Sequence, residues 1–380
     1  IGMSPTIEDP SITYGTSKAL GMAIGGFSST AVLLVGGALV LAAAMELTGL
    51  HRRIALYILS KVGTKPGRLV IGTIFVSFVL ALFVPSATAR AGTLVPILLG
   101  IVAAFGLAKE SRFAALLMLT AVQSISIWNI GIKTAAAQNM VALGFIEAEY
   151  GLDITWTEWF MYAAPWSVIM SFVLYFVMTR LIKPDLPDIA QENSLKKQLE
   201  KLGKVSGKEK RLIIIAVSLL ILWSTEGILH PFDSTTVMIA AVAVMLTPIV
   251  GIFGWKDVQQ KVPWGTLIVF ATGVSLGTVL LETEGASWLS ANSFEAMGIH
   301  TMPLFLMIAV LAAFNILIHF GFASATSLAS AFIPIVIALV GSMEPTTFNG
   351  IGLVLIMQFV ISFGFLLPVN APQNMLAYGT

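Results

Sequence analysis

The sequence predicts an all-α, polytopic membrane protein built from two inverted repeats, each with a re-entrant helical hairpin and an unwound transmembrane helix. Three observations carry this. First, 57% of the 380 residues are hydrophobic and only 11% are charged, with a mean hydropathy of +0.91, and the apolar runs approach the roughly 20 residues that span a bilayer. Second, a cassette of three short motifs occurs twice. Ser86-Ala87-Thr88, Pro96-Ile97 and Gln138-Asn139-Met140 return as Ser324-Ala325-Thr326, Pro334-Ile335 and Gln373-Asn374-Met375, displaced by 238, 238 and 235 residues. Third, the basic residues gather in segments that fix the side of the membrane on which each loop lies.

Taken in order, single spans are expected near residues 31–50, 113–132, 160–179, 211–229, 234–252 and 264–282, with a last one from about 350. Two further apolar blocks, 69–105 and 303–341, are each split by a small polar tip, Pro85-Ser-Ala-Thr in one and Ala323-Ser-Ala-Thr in the other. Their arms, roughly 14 to 18 residues or about 21 to 27 Å of helix, fall slightly short of a hydrocarbon core of about 30 Å. The simplest reading is a hairpin whose tip ends inside the membrane, where protein or a water-filled cavity must satisfy its backbone.

Charge placement tests that reading. Residues 51–68 carry Arg52, Arg53, Lys61, Lys65 and Arg68 without an acid, and residues 180–211 carry nine basic against five acidic side chains, so both belong inside. Glu147, Glu149, Asp153 and Glu158, like Glu282, Glu284 and Glu295, suit the outside. Lys256 and Lys261 return the chain inward. The first hairpin then opens inward, an odd number of crossings follows, and the second opens outward. If instead each block crossed the membrane once, Lys109 and Arg112 would lie outside and the loop after Arg180 would reverse.

The expected organisation is a first repeat over 1–182 (hairpin 69–105, unwound helix 113–144), a basic cytoplasmic linker over 183–210, and a second repeat over 211–380 (hairpin 303–341, unwound helix 350–380). The linker, with Pro184, Pro187 and a Lys-rich run from Lys196 to Arg211, reads as a solvated amphipathic or irregular loop rather than a nucleic-acid site. Without cysteine, disulfides, thiolate metal sites and thiol catalysis are excluded. The chain opens at Ile1 and stops in an apolar stretch at Thr380, as a piece of a longer protein would.

An internal repeat of polar, helix-breaking cassettes in so apolar a chain is the signature of a secondary transporter with a site between related halves. Arg90 and Lys133 are the basic residues that fall inside the apolar blocks, and no acid sits at comparable depth. Such cations default to a functional role, here toward an anionic substrate, although Lys133 could snorkel to an interface and Arg90 could donate to open carbonyls. The tips fit an anion as well, because the arms starting near Ala89 and Ser327 present free N–H groups and the positive end of a helix dipole. Beside them, Thr134–Gln138 and Pro368–Gln373 would interrupt the crossing helices, Pro368 and Pro372 removing donors and freeing carbonyls that can hold Na+. His319 is read either as a buried, hydrogen-bonded histidine or as a proton-coupling group.

Ser86-Ala-Thr and Ser324-Ala-Thr, each leading to Pro-Ile, together with Leu367-Pro-Val-Asn-Ala-Pro-Gln-Asn374, resemble the paired hairpin signatures and proline loop of the divalent anion/sodium symporter family. Gly36-Gly37 and Gly254-Trp-Lys-Asp257 extend the likeness over nearly the whole chain. The resemblance implies a homodimer in the lipid bilayer whose transport domain moves as an elevator. It also implies di- or tricarboxylate substrates of the succinate, malate, 2-oxoglutarate and citrate class, with sulfate in some branches and sodium as the usual coupling ion. Carried over by position, it assigns substrate binding to Ser86, Ala87, Thr88, Asn139, Ser324, Ala325, Thr326, Asn370, Pro372 and Asn374, beside Arg90 and Lys133. Na+ would lie at Ser86, Ala135, Ala323 and Asn370.

The departures are informative. The family's central hairpin Asn is Ala87 and Ala325 here, and its loop Thr is Ala136 and Ala371; a methyl cannot replace an amide that both donates and accepts. Pro85 through Arg90 and His319 through Thr326 are more similar to the citrate/succinate and oxoglutarate/malate exchanger branch. There a fixed cation at Arg90 or Lys133 would do the electrostatic work of a bound Na+. The expectation is therefore a carboxylate transporter of a bacterial or archaeal cytoplasmic membrane, sodium-coupled or exchanging anions, without a cofactor and not an enzyme. A sulfate transporter or a small-ion antiporter is the alternative.

Overall fold

A computed structural model describes residues 9, 11–13, 15–184, 194–248, 250–295, 297–343 and 348–380. The linker residues 185–193, with Pro187, therefore lie outside the described residues.

The chain is a succession of helices, and their ends follow the capping chemistry of the sequence. After α1 (Gly15–Gly25) comes α2 (Thr30–Thr48), and Gly49, at φ +71°, supplies the left-handed turn into α3 (Leu50–Val62). The α3 helix is amphipathic: Leu50, Ala55, Leu56 and Leu59 are buried, while Arg52 and Lys61 face out. Pro66 opens α4 (Pro66–Phe83), and after a three-residue break Ser86 caps α5 (Ala87–Ala104). Ser111 caps α6 (Arg112–Gly131), which breaks at 132–136 before α7 (Ala137–Tyr150). Thr155 and Glu158 form a capping box on α8 (Trp156–Leu181), and after α9 (Ser194–Lys201) Ser206 and Glu209 form another on α10 (Gly207–Ser224).

Asp233 caps α11 (Ser234–Leu246), and the short α12 (Trp255–Lys261) leads into α13 (Trp264–Glu282) and α14 (Gly285–Ser290). The second tip lies between α15 (Leu304–Ile318) and α16 (Ala325–Gly341). Asn349 caps α17 (Gly350–Ile361), which is followed by the break at 362–371 and α18 (Pro372–Tyr378). Seven helices among the described residues are long and apolar enough to cross a membrane, and the protein is an integral membrane protein. Two expected spans are shorter than the sequence implied. The one at 211–229 ends at Ser224, where Thr225 and Gly227 (φ +71°) turn the chain. That at 234–252 ends at Leu246, because Pro248 forces Thr247 into extended backbone.

The helices gather into two compact units that do not follow the chain halves. One unit comprises 1–35, 137–154 and 263–364; the other comprises 36–136, 155–262 and 365–380. Part of the crossing is made by the two helices that follow the breaks. In the first unit α7, from the first half of the chain, packs on α16 and α17 from the second. In the other, α18, from the second half, packs on α5 and α6 from the first. Each half thus lends its last half-helix to its counterpart.

Candidate functional site

The duplicated motifs fold to nearly the same backbone. Ser86 (φ −143°, ψ 113°) and Ser324 (−146°, 124°) are both N-caps whose hydroxyls accept from the amide three residues on, Ala89 N at 3.3 Å and Ser327 N at 3.4 Å. Pro96 and Pro334 both lie nine residues after their helix starts. The breaks match too: an extended residue (Ile132, Leu367), a single 3-10 turn (Lys133–Ala135, Pro368–Asn370) and a second extended residue, Ala136 (−147°, 139°) or Ala371 (−144°, 134°). Ala136 and Ala371 hold extended backbone, which needs no side-chain hydroxyl.

The unit that contains α5 and α18 holds Ser86, Ala87, Thr88, Arg90, Lys133, Asn370, Pro372 and Asn374. Arg90 is its centre, at 0% exposure. One of its terminal nitrogens, Nη2, donates to Asn129 Oδ1 and, at 3.0 Å, to the carbonyl of Ala135 in the break. The Nε and Nη1 groups make no hydrogen bond among the described residues, and no carboxylate pairs with the guanidinium there. Three of its five N–H donors are therefore uncommitted. Lys133 is buried in the same break, at 3% exposure. Nearby Thr134 also buries a hydroxyl that has no hydrogen-bond partner among the described residues. One turn earlier on α6 than Asn129, Ser126 Oγ accepts from Gln373 at 2.9 Å. Asn370 Oδ1 accepts from Leu367 N at 2.9 Å within its own turn, and Thr88 and Pro372 are exposed.

The other unit holds Asn139, His319, Ser324, Ala325, Thr326 and Ala323. Its break helix repeats the motif's hydrogen bond: Gln138 donates to Ser362 Oγ at 3.4 Å, as Gln373 does to Ser126. In each case a glutamine of one half reaches a serine of the other. Asn139 is buried and its Oδ1 accepts from Gln358 Nε2 at 3.2 Å. His319 is buried and its Nε2 donates to the last carbonyl of α17, Ile361 O, at 3.2 Å; one turn earlier Asn315 does the same to Met357 O at 3.0 Å. The two bonds clamp α15 to α17.

Of the four positions expected to hold Na+, Ser86, Ala135 and Asn370 lie in one unit and Ala323 in the other. The Ala135 carbonyl is occupied by a guanidinium. Sequence reasoning missed Asn129, Ser126, Gln358, Asn315 and Ser362. The first four are polar side chains inside apolar helices and Ser362 lies just past the end of α17, so none of them forms a spaced motif.

Apolar helices interrupted twice by matching polar breaks, with the buried Arg90 guanidinium bonded to one of them, define an integral membrane transporter. The chain belongs to the family described as the sodium:sulfate symporter transmembrane region, which it matches over residues 3–380. A "membrane protein" of Cupriavidus necator is 48% identical over 100% of this chain and 74% of its own length. The L-tartrate/succinate antiporter of Escherichia coli K12 is 28% identical over 85% of this chain, which spans 66% of that protein's length. The Alcanivorax borkumensis YdaH transporter crystal structure has a TM-score of 0.58 at 16% identity, covering 97% of this chain and 83% of that one, a likeness of fold alone.

Proposed function

We propose that the chain carries small dicarboxylates of the succinate and tartrate class across the membrane by exchange, with Arg90 as a fixed counter-charge. The observation that carries this is the guanidinium itself: fully buried, held by two neutral acceptors, and keeping three donors for an anion. A buried charge without a partner costs several kcal/mol, and a dianionic substrate would offset that cost each time it binds. Because Arg90 already donates to the Ala135 carbonyl, a positive charge stands where the break would otherwise offer an oxygen to Na+. That favours exchange over sodium symport. A relative named for tartrate/succinate antiport is consistent with the same cargo.

The matching backbone of the two tips and breaks, and the lending of half-helices between the halves, support reading the chain as two inverted repeats that move as an elevator, in a homodimer. Counterflow in proteoliposomes with labelled succinate, with and without a Na+ gradient, tests the function. Uptake that requires internal dicarboxylate and ignores Na+ supports exchange. Uptake that needs the gradient makes it a symporter, while sulfate uptake without any of C4 to C6 carboxylates restores the oxyanion alternative.

A further inference from the structure

The loop between α10 and α11 has no place in the transport chemistry, and its shape calls for an explanation. It displays three large apolar side chains, Ile228 (73% exposed), Leu229 (77%) and Phe232 (56%), with no charged residue from 227 to 232. Its backbone is nevertheless turned inward on itself. Gly227 N donates to His230 O, Ile228 N and Leu229 N both reach Thr225 O, and Phe232 N donates to His230 Nδ1 at 3.2 Å. Pro231 has no N–H to satisfy. The His230 ring, with Nδ1 accepting, donates through Nε2 to Leu222 O at 2.9 Å. The Glu226 carboxylate is buried and taken up by Ser234, from N at 3.1 Å and from Oγ at 2.6 Å, and Trp223 Nε1 donates to Ser234 O. A loop made for water has no need to satisfy its own donors so fully.

Its depth can be worked out from its neighbours. Arg211 Nη1 donates to Gly251 O at 2.9 Å, which ties the start of α10 and the segment after α11 to one level, among Lys208, Lys210 and Lys256 at the basic side. From Arg211 to Ser224, and from Leu246 back to Ser234, the helices rise only about 20 Å, against a hydrocarbon core of about 30 Å. The loop therefore begins before the far edge of the core is reached. Asp233, the last residue before α11, is exposed but has its carboxylate accepting from Thr235 N, Thr236 N and Thr236 Oγ1. It suits the boundary zone in which an interfacial segment lies roughly 5–10 Å deep.

We infer that residues 225–233 form a preformed membrane anchor, whose Ile228, Leu229 and Phe232 insert among lipid acyl chains at the far interface and hold α10 and α11 at fixed depth. The occupant is lipid rather than a second copy, because the same apolar surface continues down both helices through the exposed Ile221, Ile214, Ile239 and Val244.

Since the chain contains no cysteine, single substitutions give clean reporter sites. Ile228→Cys and Leu229→Cys, each carrying a nitroxide in the full chain in phosphatidylcholine liposomes, are compared by power saturation with oxygen and with the water-soluble nickel chelate NiEDDA. Phe172→Cys on the exposed face of α8 serves as lipid control and Lys204→Cys as water control. At both positions collision with oxygen should exceed collision with NiEDDA, as at Phe172→Cys. Greater collision with NiEDDA, as at Lys204→Cys, would overturn the anchor. So would exclusion of both quenchers together with dipolar broadening, which would show a second copy covering the loop. Phe232→Cys gives an independent third site should either label disturb the turn.

Discussion

Replacing Arg90 isolates the proposed counter-charge, provided the damage to the fold is separated from the damage to binding. Truncation to Ala would leave Asn129 Oδ1 and the Ala135 carbonyl without their donor, at about 1–3 kcal/mol for each buried orphan. Replacing both ends by apolar groups of similar shape is close to neutral, so Arg90→Met combined with Asn129→Leu is the informative variant. It removes two of the three groups of the cluster and leaves one carbonyl, which can turn to water or relax within the break. The loss in binding follows from the uncommitted donors. One hydrogen bond from a charged donor contributes about 1.5–3 kcal/mol, equivalent to roughly 10- to 150-fold in apparent affinity. The assay is labelled-succinate counterflow beside a thermal melt of the same detergent-purified sample. The double variant should melt within a few degrees of the parent and show an apparent KM for succinate raised roughly 10- to 150-fold. Arg90→Lys should fall between them, since an ammonium keeps the charge but not the fork that spans Asn129 and Ala135. A well-folded double variant with parental kinetics would refute the role of Arg90.

Three further outcomes are expected. Ser126→Ala and Ser362→Ala remove matching acceptors of Gln373 and Gln138 and should each lower stability by about 1 kcal/mol, read as similar shifts in melting temperature; a large inequality would show that the two bonds are not equivalent. Gln358→Leu leaves Asn139 Oδ1 without its donor, so the apparent KM for succinate should rise more than the maximal rate falls, and Gln358→Glu, which cannot donate when ionised, should not rescue it. On the basic side, burial pushes the Glu209 carboxyl up, but the hydrogen bonds from Arg53 and from Ser206 outweigh it and hold the group below its usual value. A depressed carboxyl contributes stability that is present above its unfolded value of about 4.3 and is lost as pH falls through the lower folded value. Arg53→Ala should therefore lower stability near pH 7 and flatten its decline in melts between pH 7 and 4, and an unchanged profile would exclude the pair as a contributor.

Much of the fold was legible in the sequence because a membrane makes helix ends conspicuous. The two tips were legible as helix starts, but the amides of Ala89 and Ser327, expected to be free for an anion, are taken by the Ser86 and Ser324 hydroxyls, which act as caps. The breaks at Lys133 and Pro368 were readable for the same reason. What could not be read was which helix each break helix would join. Packing of α7 on α16 and α17, and of α18 on α5 and α6, depends on three-dimensional proximity that no local pattern encodes. Asn129 and Gln358 were overlooked because a single amide in an apolar helix carries no spacing signal; only the residue it faces gives it meaning. The short α11 was missed because its apolar composition continues past Leu246, and Pro248 acts on backbone geometry rather than on hydropathy.

The lending of α7 and α18 between the halves has the form of a domain swap written into one chain. Were the two halves separate chains, they would have to exchange these segments across an interface, with stability tied to concentration. Within a single polypeptide the linker supplies that partner at high effective concentration. Neither half then carries a finished set of polar partners, because Gln138 finds its serine only in the second half and Gln373 only in the first. Synthesis of the second half therefore has to precede completion of the first, and a ribosome that stopped in the linker would release a chain with α7 unplaced and α5 missing the helix that packs on it.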